Sequence, residues 1–170
     1  MTTEAKPMLE QLLDFYRWMV MAREIDSLER AYCQRGEAFF TIGGSGHEGS
    51  VAVAPHLTDE DWINPHYRDK ALILALGVPS TAYFDTLFSK DTSHCRGRQM
   101  ADFLGDPAFR ILPMTVPVGN NALPSVGLAS TLKESGRGLC IAVAEAVAPK
   151  KGNGWKRWRW QSGIICPYCS

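Results

Sequence analysis

The chain has no apolar run approaching the ~20 residues that span a bilayer, which excludes a membrane-spanning helix. It opens Met1-Thr2-Thr3-Glu4-Ala5-Lys6, without the basic-then-apolar order of a secretory signal, so a cytoplasmic address is expected. Its five cysteines, at 33, 95, 140, 166 and 169, are scattered except for the last pair. They form neither a disulfide framework nor the usual zinc spacing, and free thiols are expected. No internal repeat or low-complexity segment precedes the last twenty or so residues.

An excess of one charge sign is missing too, but the formal net charge of zero conceals an asymmetry. Residues 1–149 carry thirteen Lys and Arg against all eighteen Asp and Glu, whereas residues 150–170 carry the other five cations alone. The acidic body gives no electrostatic footprint for nucleic acid, so neither a nucleic-acid nor a membrane partner is expected.

What is present suits a folded piece with one core. The chain has 170 residues, of which 45% are hydrophobic and 21% charged. Leu9, Leu12, Leu13, Tyr16, Met19, Val20, Ile25, Leu28 and Tyr32 recur near helical spacing, with Gly36 as a stop, so residues 8–35 read as one or two amphipathic helices. That stripe is expected in the core or in a subunit interface. Pro79-Ser80-Thr81 starts another helix through Tyr83, Phe84, Leu87 and Phe88, and residues 89–97 form a polar loop. Pro124 opens a further helix that Gly136 and Gly138 close before Leu139-Cys140-Ile141-Ala142-Val143, a buried-strand pattern. Helix, turn and strand in that order predict an α/β sheet.

Two stretches carry the chemistry. In Thr41-Ile42-Gly43-Gly44-Ser45-Gly46-His47-Glu48-Gly49, four glycines in seven residues run into a helix-like segment, a turn able to hold an anion. In Trp62-Ile63-Asn64-Pro65-His66-Tyr67-Arg68-Asp69, Pro65 breaks an extended segment, and Tyr67 and Arg68 are expected on the first turn of a new apolar helix. An arginine there opposes the helix dipole, and an anion held jointly by the helix end, the guanidinium and the phenol would account for it. An exposed arginine is the alternative.

Five segments in order carry a family resemblance: Arg23-Glu24-Ile25-Asp26, Gly46-His47-Glu48-Gly49, Tyr67-Arg68-Asp69, Gly97-Arg98-Gln99-Met100 and Pro117-Val118-Gly119-Asn120-Asn121-Ala122-Leu123-Pro124. From about residue 15 to residue 133 the chain resembles the alpha subunit of the decarboxylating component of 2-oxo acid dehydrogenase complexes, the thiamine-diphosphate-dependent pyruvate and branched-chain enzymes. Gly97-Arg98-Gln99-Met100 leans toward the branched-chain side. The resemblance implies an α/β fold, the helix-rich N-terminal part of a thiamine-diphosphate-binding fold, truncated before its sheet is complete and spanning residues 1–147. It implies that Tyr67 and Arg68 hold the cofactor's diphosphate and that backbone near Val118 and Gly119 meets its aminopyrimidine. His47 is a further candidate toward phosphate or substrate, with a structural role as the alternative.

Thiamine diphosphate also needs a divalent metal, with magnesium expected. The family's metal motif finds its nearest match in Ala144-Glu145-Ala146, where alanine replaces the first glycine and no suitable asparagine follows. Glu145 is thus the metal candidate of an incomplete site. The resemblance places the glutamate that activates the cofactor on a partner beta subunit or beta-like domain, and it implies acyl transfer to a lipoyl-bearing acyltransferase. No catalytic residue is assigned to this chain, and the isolated chain is expected to be inactive. A catalytically silent binding module is the alternative.

Other candidates have weaker grounds. His66 neighbours Tyr67 and can line the same pocket, whereas His56 and His94 read as surface residues. Arg96 and Arg98 could face a substrate carboxylate, although a loop-stabilising role is favoured. Asn120 and Asn121 read as turn residues, and the resemblance also allows a monovalent cation there.

The tail is foreign to this pattern. Cys166-Pro167-Tyr168-Cys169 has the form of a redox pair but no following helix to lower a thiol pKa. Trp155-Lys156-Arg157-Trp158-Arg159-Trp160 would suit stacking on nucleic acid or an anionic surface, a weak signal in so short a piece. Out-of-frame translation of residues 148–170 accounts for both. Reading each codon's third base with the next codon's first two permits an amphipathic helix followed by Leu-Pro-Val-Leu-Phe. Trp155 with Lys156 then yields only glutamate, Trp160 with Gln161 only alanine, and Tyr168 with Cys169 only leucine.

Overall fold

A computed structural model of the chain describes residues 8–143. Glu145, the 147/148 boundary, the tryptophan-rich run and the Cys166/Cys169 pair lie outside the described residues.

The first periodic stretch is one continuous helix, α1 (Met8–Gln34), a length of about 40 Å at the α-helical rise. Its sequence holds no glycine or proline, and Leu, Glu, Gln, Met and Arg favour it throughout. It stops at Gly36, whose φ of +74° is open to glycine. There Gly36 N–H donates to Cys33 O and Glu37 N–H to Tyr32 O. The expected apolar stripe is only partly inside. Ala22, Ile25, Asp26 and Glu29 are buried, but Leu9, Leu12, Leu13 and Tyr16 face solvent.

A 3₁₀ helix (Glu48–His56) follows the glycine turn and leads to β1 (Trp62–Asn64). After a tight turn comes α2 (Lys70–Ala75), with every residue through Leu74 buried. A helix apolar on all sides belongs at the centre of a fold, and Leu72, Ile73 and Leu74 sit in a core with Ile25, Val51, Ile63, Tyr83, Phe103 and Ile111. Helix α3 (Thr81–Leu87) packs its Leu87 with Ala38 and Ala101 in a smaller cluster. Helix α4 (Ala122–Ser135) starts two residues before Pro124 and ends at Gly136, ahead of β2 (Cys140–Ala142).

The two strands are parallel, with Trp62 opposite Cys140, Ile63 opposite Ile141 and Asn64 opposite Ala142. On the other side of β1, Ile63 N–H donates to Arg110 O and Leu112 N–H to Ile63 O, so β1 lies between two neighbours. The described residues are therefore helix-rich with a small parallel sheet, compatible with the α/β expectation. No helix among them is long and apolar enough to cross a membrane.

Candidate functional site

Parallel strands place ligands beyond their carboxyl ends, and both chemistry-bearing stretches meet there. Asn64 ends β1, and its side-chain amide donates to Asn121 O and Ser125 Oγ, each at 2.9 Å. The Asn121 amide donates to Val143 O at 2.6 Å and to Asn64 O at 3.3 Å. The start of α4 is thereby fastened across the ends of both strands. Asn121 is buried and structural here, whereas Asn120, Val118 and Gly119 are exposed on the preceding turn.

After Asn64 and Pro65 the chain forms a β-turn in which Asp69 N–H donates to His66 O. Tyr67 and Arg68 are its central residues, which corrects the expectation that they open α2. The physical reason is Asp69, whose carboxylate accepts His66 N–H at 2.9 Å and closes the turn. Its carbonyl accepts the first helical bond from Ile73. Helix α2 therefore begins at Lys70.

The turn presents a stack of donors. His47 lies 5.6 Å from His66 between ring centroids, and His66 lies 3.9 Å from Tyr67. The Arg68 guanidinium sits 5.5 Å from the Tyr67 ring centroid. Arg68 Nη1 donates to Gly43 O, and a Cβ on Gly44 would come within 2.6 Å of Arg68 O, so only glycine permits this approach. His47 Nδ1 is 3.7 Å from buried Asp69. Tyr67, Arg68, His47 and His66 are thus assembled against the glycine turn, while His56, His94, Arg96 and Arg98 are exposed elsewhere. A cavity of about 530 Å³ lies at the opposite end of β1, beside Asp61 and Arg110, and none of the stacked residues lines it.

The glycine turn itself differs from the expected anion cradle. Ile42 N–H donates to Asp102, Gly44 N–H to Asp26 at 2.7 Å and Gly46 N–H to Glu48 at 2.9 Å. These three amides already hold carboxylates of the chain. Burial opposes ionisation of Glu48, yet backbone amides and Arg23 at 2.7 Å hold its carboxyl below the usual range.

Behind the turn lies a buried charge cluster that sequence reasoning missed. Lys70 Nζ contacts Glu29 Oε2, Asp102 Oδ1 at 2.7 Å and Asp26 Oδ1 at 2.8 Å, and none of the four side chains is more than 4% exposed. Thr41 Oγ1 donates to Glu29 at 2.8 Å. Burial would discharge Lys70, but Asp102 and Glu29 hold its pKa above the ordinary value. Burial and Asp102 push the Glu29 carboxyl up to about 7, against the pull of Lys70. Apolar spacing gave no signal of it: Asp26 and Glu29 share the buried face of α1 with Ala22 and Ile25, roughly opposite Leu9, Leu13, Tyr16 and Val20.

These groups fit an anionic phosphate ligand. The stacked residues supply one guanidinium, a phenol and two imidazoles, and Lys70 offsets part of the negative charge behind them. Among the described residues there is no group of three or more His, Cys, Asp or Glu placed to hold a metal.

The model of the family described as Dehydrogenase E1 component matches residues 16–149. The 2-oxoisovalerate dehydrogenase subunit alpha of Bacillus subtilis (strain 168) is 30% identical over 123 residues, 71% of this chain and 37% of that protein. The pyruvate dehydrogenase E1 component subunit alpha of Staphylococcus aureus (strain Mu50 / ATCC 700699) is 30% identical over 129 residues, 75% of this chain and 32% of that protein. The chain thus spans about a third of the length of these curated relatives. The chain belongs to the dehydrogenase E1 component family.

Proposed function

We propose that this chain is the alpha-subunit region of a thiamine-diphosphate-dependent 2-oxo acid dehydrogenase, and that the turn at residues 66–69 anchors the cofactor's diphosphate. The observation that carries the reading is the placement of Tyr67 and Arg68 beyond the carboxyl end of β1, against the glycine turn. Bound there, thiamine diphosphate supplies the electron sink for the carbanion left when a 2-oxo acid loses carbon dioxide. The chain's own groups bind and orient. Arg68 offsets phosphate charge, Tyr67 and His47 add donors beside it, and Asp69 fixes the turn from which Tyr67 and Arg68 project.

On the same reading, Val118 and Gly119 approach the aminopyrimidine, Glu145 contributes to a magnesium site, and a beta subunit and a lipoyl-bearing acyltransferase are the partners. The address is cytoplasmic. Residues 148–170 are read as translated out of frame, which sequencing the gene across codons 140–170 tests. A catalytically silent binding module is the second reading, favoured by the turn amides already engaged with the chain's own carboxylates.

Calorimetry of the 170-residue chain with thiamine diphosphate and magnesium tests the first reading. Weak binding that Arg68→Ala abolishes is expected, with no turnover of pyruvate or 3-methyl-2-oxobutanoate. Binding indifferent to Arg68→Ala overturns the anchor. Turnover without a beta subunit overturns the assignment of catalysis to a partner.

A further inference from the structure

Three carboxylates and one ammonium share the buried space behind the glycine turn, leaving an excess of negative charge where the proposed ligand is itself an anion. Each carboxylate also grips the turn. Asp26 accepts Gly44 N–H, Asp102 accepts Ile42 N–H, and Glu29 accepts the Thr41 hydroxyl. The turn in turn abuts Arg68, through Gly43 O and through the close approach of Gly44. Lys70 is therefore linked to Arg68 twice, along the chain by two residues and across space through the turn.

We propose that Lys70 and Glu29 are positioning residues for the anion site: together with Asp26 and Asp102 they form a clamp whose proton content sets how residues 41–44 are held against Arg68. The inference rests on the diphosphate reading for its ligand but not for its clamp.

The geometry gives the proton a place. Glu29 Oε2 meets Lys70 and Thr41, while Glu29 Oε1 is buried without a hydrogen-bond partner among the described residues. The charged and titratable groups facing Glu29 come from every side. Asp26 and Cys33 lie on α1, Lys70 on α2, Tyr83 on α3, and Asp102 on the loop before the second 3₁₀ helix (Pro107–Phe109). Arg30 reaches the edge of the cluster near Gly43, beside Asp26. Asp102 holds its place with a φ of +68°, a conformation that costs a non-glycine residue and that the clamp's ion pair and hydrogen bonds offset. A carboxyl raised to about 7 takes up its proton across the neutral range. Protonation removes one negative charge from behind the anion site and leaves Lys70 to Asp26 and Asp102, the two groups that hold the turn's amides.

The test has two arms on the whole chain, wild type and Glu29→Gln. In the first, without ligand, the amide resonances of Ile42 and Gly44 are followed by NMR from pH 5.5 to 8.5. They are expected to titrate near neutrality in the wild type and to stay flat in the variant. Amides that do not move, or that move equally in both proteins, overturn the clamp. In the second arm inorganic pyrophosphate is the probe. The variant is expected to bind at least threefold more tightly than the wild type at pH 8, an advantage that shrinks toward pH 6. Equal affinities at pH 8 overturn the link from clamp to anion site. Failure of either protein to bind pyrophosphate, with the amide titration intact, overturns the diphosphate reading and leaves a clamp acting on the turn alone.

Discussion

Helix α1 has two environments along one continuous axis. Over its first half one face of large apolar side chains lies in water, with Leu9 69%, Leu12 54% and Tyr16 66% exposed, while Phe15, Trp18 and Met19 pack against the core. Over its second half it buries two carboxylates, Asp26 and Glu29, the latter fully. Hydrophobicity alone would assign these halves the other way round. What decides is what each face meets: the face carrying Asp26 and Glu29 packs against α2 and the glycine turn, where Lys70 and backbone amides compensate the acids, whereas the face carrying Leu9, Leu12, Leu13 and Tyr16 stays largely uncovered among the described residues. A buried charge is thus a statement about partners, and an exposed leucine is a statement about their absence.

Removing the partner is the strongest way to break this contrast. Lys70→Met leaves three buried carboxylates without their cation, and breaking a buried pair in this manner costs about 3–5 kcal/mol. Urea denaturation at pH 8 is expected to show the loss. A change below 1 kcal/mol at pH 8 would mean that the second half of α1 does not depend on compensation, and the contrast would fail.

Glu29→Gln sharpens it. The folded chain keeps on Glu29, up to about pH 7, a proton that the unfolded chain releases near 4.5. Stability linked to this group is therefore complete below about pH 4.5 and lost as pH rises through 7. Glutamine keeps the shape without the ionisation, so the variant is expected to exceed the wild type by about 3 kcal/mol at pH 8 and to match it near pH 4.5. A stability difference that does not change with pH would show that Glu29 does not titrate in this range.

Gly44→Ala tests the far side of the clamp. A methyl group placed 2.6 Å from Arg68 O must move either the turn or residues 66–69, and such overpacking typically costs about 1–3 kcal/mol. Loss of pyrophosphate affinity alongside that destabilisation is the expected signature. An unchanged thermal midpoint would show that the two segments are not in close contact.

The elements that follow periodicity were legible in the sequence. Helix α1, the start of α3 and the buried β2 come from apolar spacing and from glycine and proline punctuation, which are local properties. The turn at residues 66–69 was not, because the apolar run after Asp69 says that a helix follows but not that the Asp69 carboxylate closes a turn ahead of it. An anion site at Tyr67 and Arg68 was legible from their placement after Pro65 and from the family resemblance together. The clamp stayed hidden because lysine is almost never fully buried, and its three partners come from α1 and from a loop beyond α3. The Asn64, Asn121 and Ser125 lattice was hidden for the same reason: asparagine beside a turn reads as a turn residue until the neighbouring strand end supplies the carbonyls.

The smallest expected effect lies at the other end of the comparison. Leu12→Gln changes an apolar side chain that keeps most of its contact with water, so little transfer free energy is at stake at about 25 cal/mol per Å². Glutamine and leucine also have similar helix propensities, which leaves no large backbone term. In this chain the substitution is expected to shift stability by no more than about 0.5 kcal/mol, the range of surface changes away from special features. Equilibrium denaturation at one pH checks it, with Ile25→Gln as the contrasting change. Ile25 lies on the same helix but is buried with Val51, Ile63 and Leu72 in the core, so an unpartnered amide there should cost several-fold more. A cost of 2 kcal/mol or more at Leu12 would place the first half of α1 against a surface in the folded chain, and the two halves would then obey one rule.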